Sequence, residues 1–332
     1  MIRISTTVLS RQRGWRSHFA VSLVLLLLAP LACADSYPAK AVRFIVAFPA
    51  GGNSDLVARI VGQKLTDSLG RPFVIDNRGG AGGVIAEEIA AKSPPDGYTL
   101  LHVSIAHVVG SILNKKLPYD PMRDLTPVSL VVSVPNVLVV HTSLNVQSVP
   151  ELIALAKAKP GQLNYASSYM TSLHLAGELF KAMAGVDILN VNYKSGGLAV
   201  PDLEAGRVQM AFSVITTALS AVKSGRVRAL AVTSAQRSAV LPDLPAIAEF
   251  VPGYESTGWH GMLAPAGTPR AIILKLGGEV AKIMRMPDVR AKLVGIGADP
   301  LGSTPEEFAT FRQAEVAKVR TLIAKAGIKA EY

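Results

Sequence analysis

Val42-Arg43-Phe44-Ile45-Val46-Ala47-Phe48-Pro49-Ala50-Gly51-Gly52-Asn53-Ser54-Asp55 decides the fold: it reads as a buried strand running through a glycine loop straight into a helix. Val42 to Phe48 is a short β-branched and aromatic run, which suits a strand buried on both faces. Pro49 ends the ladder, and Gly51-Gly52 let the backbone turn with no side chain over its amides. Asn53 or Ser54 can cap the helix that follows, whose Val57, Ile60, Val61, Leu65 and Leu69 share one face until Gly70 and Pro72 stop it. Bare amides at a helix N-terminus suit an anion, because the unpaired N–H groups and the helix dipole both favour negative charge. The same stretch also fits a βα turn without a ligand. Asp55 would repel an anion if it faced the loop, so its expected role is structural, favouring the dipole and pairing with Arg59 four residues on.

Outward from this unit the pattern repeats. Phe73-Val74-Ile75 is a strand leading through Asn77-Arg78 into Gly79-Gly80-Ala81-Gly82-Gly83, and a helix from 84 to 92 follows. Thr99 to Val103 is a further strand, ending at the polar Ser104; two apolar runs then flank Pro135-Asn136. Alternation restarts at the capping box Ser148-Val149-Pro150-Glu151. Strand Leu163 to Ala166 opens onto the polar loop Ser167-Ser168-Tyr169-Met170-Thr171-Ser172 and a helix to Ala184. Strands at 188–191, 208–212 and 227–232 follow, and Met262-Leu263 is expected to rejoin the first unit. Two terminal helices are expected, after Thr268-Pro269 and after the capping box Thr304-Pro305-Glu306-Glu307. Such alternation argues for two doubly wound α/β domains with parallel sheets and a ligand cleft outside the carboxyl ends of their strands. The loops 50–55 and 167–172 both sit at such ends, one in each half.

The first residues are not part of that fold. Arg3, Arg11, Arg13 and Arg16 precede an apolar run from Phe19 to Leu31, and Ala32-Cys33-Ala34 is a small-x-small cleavage pattern. Residues 1–34 therefore read as a secretory signal, too short to span a bilayer as a mature helix. Lipid attachment at Cys33 is the less favoured alternative, since Pro30 stands where a lipoprotein signal prefers Leu. Cleavage after Ala34 removes the chain's one cysteine and four of its 34 basic residues, leaving 30 against 24 acids. With 49% apolar and 17% charged residues the chain is globular. Its basic residues are scattered and not interleaved with aromatics, which excludes a nucleic-acid partner.

Catalytic signatures are missing. Gly80-Ala81-Gly82 lacks the third spaced glycine and distant acid of a dinucleotide loop, and no Gly-Lys-Ser/Thr follows any glycine run. The six histidines show no metal-binding spacing, and no Gly-x-Ser-x-Gly elbow exists. No metal, cofactor or enzymatic activity is expected. Trp259 fits either core packing or a cleft wall.

Seven motifs then line up in order: Phe-Pro-Ala-Gly-Gly-Asn-Ser-Asp-Leu-Val-Ala-Arg (48–59), Asn-Arg-Gly-Gly-Ala-Gly-Gly (77–83), Asp-Gly-Tyr-Thr-Leu (96–100), Ser-Val-Pro-Asn-Val-Leu-Val-Val (133–140), His-Leu-Ala-Gly-Glu (174–178), Leu-Ala-Val-Thr-Ser-Ala-x-Arg (230–237) and Pro-Ala-Gly-Thr-Pro (265–269). Over nearly all of residues 37–327 the chain resembles the Bug-type receptors of tripartite tricarboxylate transporters. The resemblance implies a type II periplasmic-binding-protein fold, with 35–135 and 258–332 forming domain 1 and 136–257 forming domain 2. Hinge crossings are expected near Val134-Asn136 and Glu255-Gly258. It also implies a periplasmic receptor that holds a small organic carboxylate in the cleft and passes it to the transporter's membrane components. The expected ligand residues are Phe48, Ala50, Gly51, Gly52, Asn53, Ser54, Gly80, Ala81, Gly82 and Ser104 on one side, and Ser168, Tyr169, Thr171, Ser172 and Ser213 on the other.

Departures from the family pattern fall where ligand would touch. A glycine-rich loop becomes Ser167-Ser168-Tyr169-Met170-Thr171-Ser172, Gly-Asn-Ile-Gly becomes Gly83-Val84-Ile85-Ala86, Pro-Tyr-Lys-Gly becomes Asn192-Tyr193-Lys194-Ser195, and Phe-Asp becomes Phe212-Ser213. Losing that acid suits a ligand without an amino group. The competing readings are an exported enzyme on the same scaffold and a receptor repurposed for sensing.

Overall fold

The apolar run that opens the chain's first βα unit is a strand buried along most of its length in a six-stranded sheet. The computed structural model describes residues 37–169, 171–194, 196–238 and 241–328. The expected leader with Cys33, together with Met170 and Ser195, lies outside them. Of a first unit, 1–39, only Tyr37 to Ala39 are described; residues 40–332 form a second, compact unit.

In chain order the strands are β1 (Val42–Val46), β2 (Phe73–Asn77), β3 (Thr99–Ser104), β4 (Leu125–Val134), β5 (Asn136–His141), β6 (Asn164–Ser167), β7 (Leu189–Asn192), β8 (Met210–Val214), β9 (Val227–Val232), β10 (Gly258–Pro265) and β11 (Asp299–Pro300). One sheet has the order β11-β4-β10-β3-β1-β2 and the other β7-β6-β8-β5-β9. The helices between them are α1 (Asn53–Leu69), α2 (Val84–Ala91), α3 (Ala106–Leu113), α4 (Val149–Ala158), α5 (Ser172–Ala184), α6 (Val200–Glu204), α7 (Ile215–Lys223), α8 (Arg270–Ile283), α9 (Pro287–Gly295) and α10 (Pro305–Ala326).

Both sheets are mixed, which corrects the expectation of parallel sheets. β1 pairs in parallel with β2 and β3, and β6 with β7 and β8. The strands at the crossings run the other way: β10 is antiparallel to β3 and β4, and β5 to β8 and β9. The strand with which the chain enters each sheet at a crossing, β5 in one and β10 in the other, is thus the reversed one, and an antiparallel pair needs no helical crossover.

The crossings are laced together. Asn136 N–H donates to Thr233 Oγ1 at 3.0 Å, Thr233 N–H to the Asn136 carbonyl at 2.9 Å, and Ser256 N–H to the Thr233 carbonyl at 2.9 Å. Gly258 is the register partner of Val134. Helix α10 packs against β4 of the first sheet, against α3, and against α5, the helix that follows β6 of the second.

Local chemistry explains the helix ends. Val57, Val61 and Leu65 of α1 are fully buried, each contributing about 2 kcal/mol of apolar transfer free energy, and Gly70 stops the helix in the left-handed region. Ser148 and Thr304 cap α4 and α10 through the Glu151 and Glu307 amides, as their spacing predicts. Three terminal helices stand where two are expected, because Pro287 starts α9 at its first position, where its missing N–H costs nothing.

Candidate functional site

The β1–α1 junction presents its amides without a side-chain cap. Gly52, not Asn53 or Ser54, is the N-cap of α1, and no side chain caps its first turn among the described residues. This corrects the expected caps. Asn53 Nδ2 instead donates to the Ile296 carbonyl at 3.0 Å, and Ser54 Oγ turns inward to within 3.4 Å of His260 Nε2. Ala50, Gly51 and Gly52 are exposed, Phe48 and Asn53 half-buried, and Ser54 buried.

Asp55 is 2% exposed and faces back under the loop, where its carboxylate accepts from Gly51 N–H and Arg59 Nε, both at 2.9 Å, and from Asn77 Nδ2 at 3.0 Å. Burial alone would raise its pKa; the hydrogen bonds from Arg59, Gly51 and Asn77 outweigh it and hold the carboxyl below its ordinary value. The acid is therefore ionised and spent on the loop's geometry, where it takes up the Gly51 amide itself.

The second glycine loop packs beside the first. Asn77 Nδ2 also donates to the Phe48 carbonyl at 3.1 Å, and Arg78 N–H to the Val46 carbonyl at 2.8 Å. A Cβ on Gly79 would lie 2.9 Å from Pro49 Cδ, so the two loops touch through backbone that no larger residue allows. Gly80, Ala81, Gly82 and Gly83 all have positive φ (129°, 48°, 66° and 104°), a run that L side chains resist. Gly83 then starts α2, again without a side-chain cap among the described residues.

On the other sheet, Thr171 is the N-cap of α5, and no side chain caps that helix among the described residues. Thr171 Oγ1 donates to the Ser168 carbonyl at 2.6 Å, and Tyr169 N–H to Asn192 Oδ1 at 2.8 Å. Ser172 Oγ lies 3.5 Å from Asn136 Oδ1 and closes on Gly258, whose Cβ would stand 2.8 Å from that hydroxyl. Ser213, on β8, is buried, with its hydroxyl 3.4 Å from the Val214 carbonyl.

The structure thus brings residues 48–54 and 80–82 together and adds Ser104, whose register partner His260 approaches Ser54. Ser168, Tyr169 and Thr171 precede α5, whose first residue, Ser172, meets the first sheet at Gly258; Ser213 lies on β8, the strand that pairs with β6. A cavity of about 520 Å³ opens at the crossings, walled by Ser133, Pro135, Thr257, Asp299 and Lys318, and includes none of the expected ligand residues. Asn77 and His260 were missed by sequence reasoning. An Asn between a strand and a glycine loop is a readable signal for the first; a lone His in an apolar strand gives none for the second. Trp259 is both packed and part of the crossing cavity's wall: 2% exposed, edge-on to Phe308 and Phe311, with Nε1 donating to Glu315 at 3.0 Å. No group of three or more His, Cys, Asp or Glu that could hold a metal occurs among the described residues.

Comparison with known proteins agrees with this architecture. Residues 57–328 match the model of the tripartite tricarboxylate transporter family receptor. Protein BugT of Bordetella pertussis is 38% identical over 300 residues, spanning 89% of this chain and 92% of BugT. The structure of R. palustris Rpa4515 with adipate superposes with a TM-score of 0.83 at 38% identity, covering 88% of this chain and 99% of that one. MatC from Rhodopseudomonas palustris, with bound malate, gives a TM-score of 0.77 at 30% identity, covering 86% and 100%. On this evidence the chain belongs to the receptors of the tripartite tricarboxylate transporter family, and shares the two-sheet α/β fold of their periplasmic binding proteins.

Proposed function

We propose that the protein is a periplasmic receptor that holds a small organic carboxylate on its two glycine loops and delivers it to the membrane components of a tripartite transporter. The observation that carries this reading is the junction at Gly52: an exposed residue without a side chain opens a 17-residue helix with no side-chain cap, and the acid of its first turn, Asp55, is already held by the Gly51 amide, Arg59 and Asn77. Such an end is an anion seat, since aligned N–H groups and the helix dipole both point at it. The bound adipate and malate of the related structures support a dicarboxylate class. In this reading residues 35–135 with 258–332, and 136–257, are two lobes that close about the crossings. Loop 168–172 meets the ligand from the second lobe, and the leader 1–34 directs export. The ligand leaves unchanged, as from a receptor and not from an enzyme.

The test is native mass spectrometry of the purified protein, followed by calorimetric titration with a panel of four- to six-carbon mono- and dicarboxylates that includes adipate and malate. A carboxylate released intact and rebound with one-to-one stoichiometry is expected. Turnover of that compound, or binding unaffected by Gly51→Val and Ala81→Phe, would sink the assignment.

A further inference from the structure

Freed from capping, Asn53 does something else. Its Nδ2 reaches the Ile296 carbonyl, in the turn between α9 and β11, while its Oδ1 is buried with no partner among the described residues. The next residue, Gly297, is itself buried and has φ +74°. It stands against the start of α7: a Cβ there would lie 2.9 Å from Ile215 Cβ and 3.5 Å from the backbone nitrogens of both Ile215 and Thr216. Helix α7 follows β8 of the second sheet and starts without a side-chain cap among the described residues. Two residues on, Asp299 pairs with Ser133 of β4, so the turn is anchored to the first sheet.

One short turn therefore touches the first turn of α1, which carries the exposed glycine amides, and the first turn of α7, which belongs to the other sheet. We propose that Ile296-Gly297 is an interlobe latch, with Asn53 and Gly297 as positioning residues that couple the seat to the second lobe. The proposal rests on the receptor reading for what the latch closes upon, but the contact itself exists without ligand. It works through close approach. Only a residue with no Cβ lets the turn reach α7, and the Asn53 amide sets how far the turn can withdraw from the seat. An element that two parts share can bias their relative arrangement only through such differential contacts.

The test uses ligand-free protein, by small-angle scattering and amide hydrogen exchange. Gly297→Val is expected to increase the radius of gyration and to speed exchange at Leu219 and Ser220, the amides held by the first turn of α7, by about tenfold, since local protection follows local contact. Asn53→Ala adds no volume and is expected to act in the same direction more weakly. Gly185→Val is the control: Gly185 has φ +64° and nothing within 4 Å of its Cβ, so it takes similar backbone strain with no neighbour to strike. Wild-type scattering and exchange in Gly297→Val, or equal changes in Gly185→Val, overturn the latch. Should Gly297→Val fail to fold, unchanged exchange in Asn53→Ala overturns it alone. Adipate and malate titrations are read separately, so a failure of carboxylate binding leaves the ligand-free result to stand by itself.

Discussion

The Asn77 side-chain amide donates to the Asp55 carboxylate across 3.0 Å, so a residue at the root of the second glycine loop holds the acid that ties down the first. That carboxylate also fixes the Gly51 amide. Asp55→Ala is expected to cost about 2 kcal/mol, because two part-buried donors, the Gly51 amide and the Asn77 side chain, lose a charged acceptor together. Arg59→Ala should cost far less, since the Arg59 side chain is half exposed and screened. Urea unfolding compares the two. Equal losses would mean that the ion pair, and not the amides, organises the loop.

Gly51 has φ +85° and nothing within 4 Å of its Cβ, so Gly51→Val should fold with a strain of roughly 1–2 kcal/mol while placing branched methyl groups over the seat. Dicarboxylate affinity is expected to fall by roughly 100-fold, close to 3 kcal/mol. Gly70→Val carries the same kind of strain in open space at the far end of α1 and should keep its affinity. Calorimetric titration of both variants decides whether the effect belongs to the site or to backbone strain.

Much of this was legible in the sequence, and the parts that were not share a cause. The strand–glycine–helix unit at 42–69 and the capping boxes at 148–151 and 304–307 are local: spacing and residue type determine them. Strand direction at the crossings is not local, because Val137–Val140 and Met262-Leu263 read as apolar runs whichever way they point. Helix α3 follows directly on a strand end and has only eight residues, with His107 and Ser111 its only polar side chains, too short a pattern to mark it. At the site, residue type showed that amides would be bare but not where Asn53 would turn. Its partner Ile296 lies 243 residues away, and no spacing rule reaches that far.

Trp259 should report on α10 and not on the seat. It is buried edge-on to Phe308 and Phe311, and its Nε1–H is held by Glu315. Emission of the folded protein is expected in the apolar range, with a large red shift on unfolding and little change when a carboxylate binds. Glu315→Leu, which leaves the indole N–H unpaired, should cost about 2 kcal/mol. A large saturable emission change on adding ligand would show instead that the α10 contact rearranges during closure.

Acid sensitivity should come from beneath the seat. The His102 and His260 rings meet edge to face at 5.0 Å, and Ser54 of α1 lies against His260. Burial pushes His260 down to about 4 and His102 well below its ordinary value, with His260 adding to the effect on His102. Unfolded, both bind a proton as pH falls through about 6.5, whereas folded they stay neutral to much lower pH, so the unfolded state holds more protons and stability falls with pH. For His260 alone the loss between pH 6.5 and 4 is about 3 kcal/mol, at 1.36 kcal/mol per unit. His260→Phe keeps the volume and removes the titration, so its unfolding midpoint should fall less steeply over that window than that of the wild type. Urea midpoints measured across that window give the slopes. A His260→Phe protein that loses as much stability on acidification as the wild type would place the acid-sensitive group elsewhere in the fold.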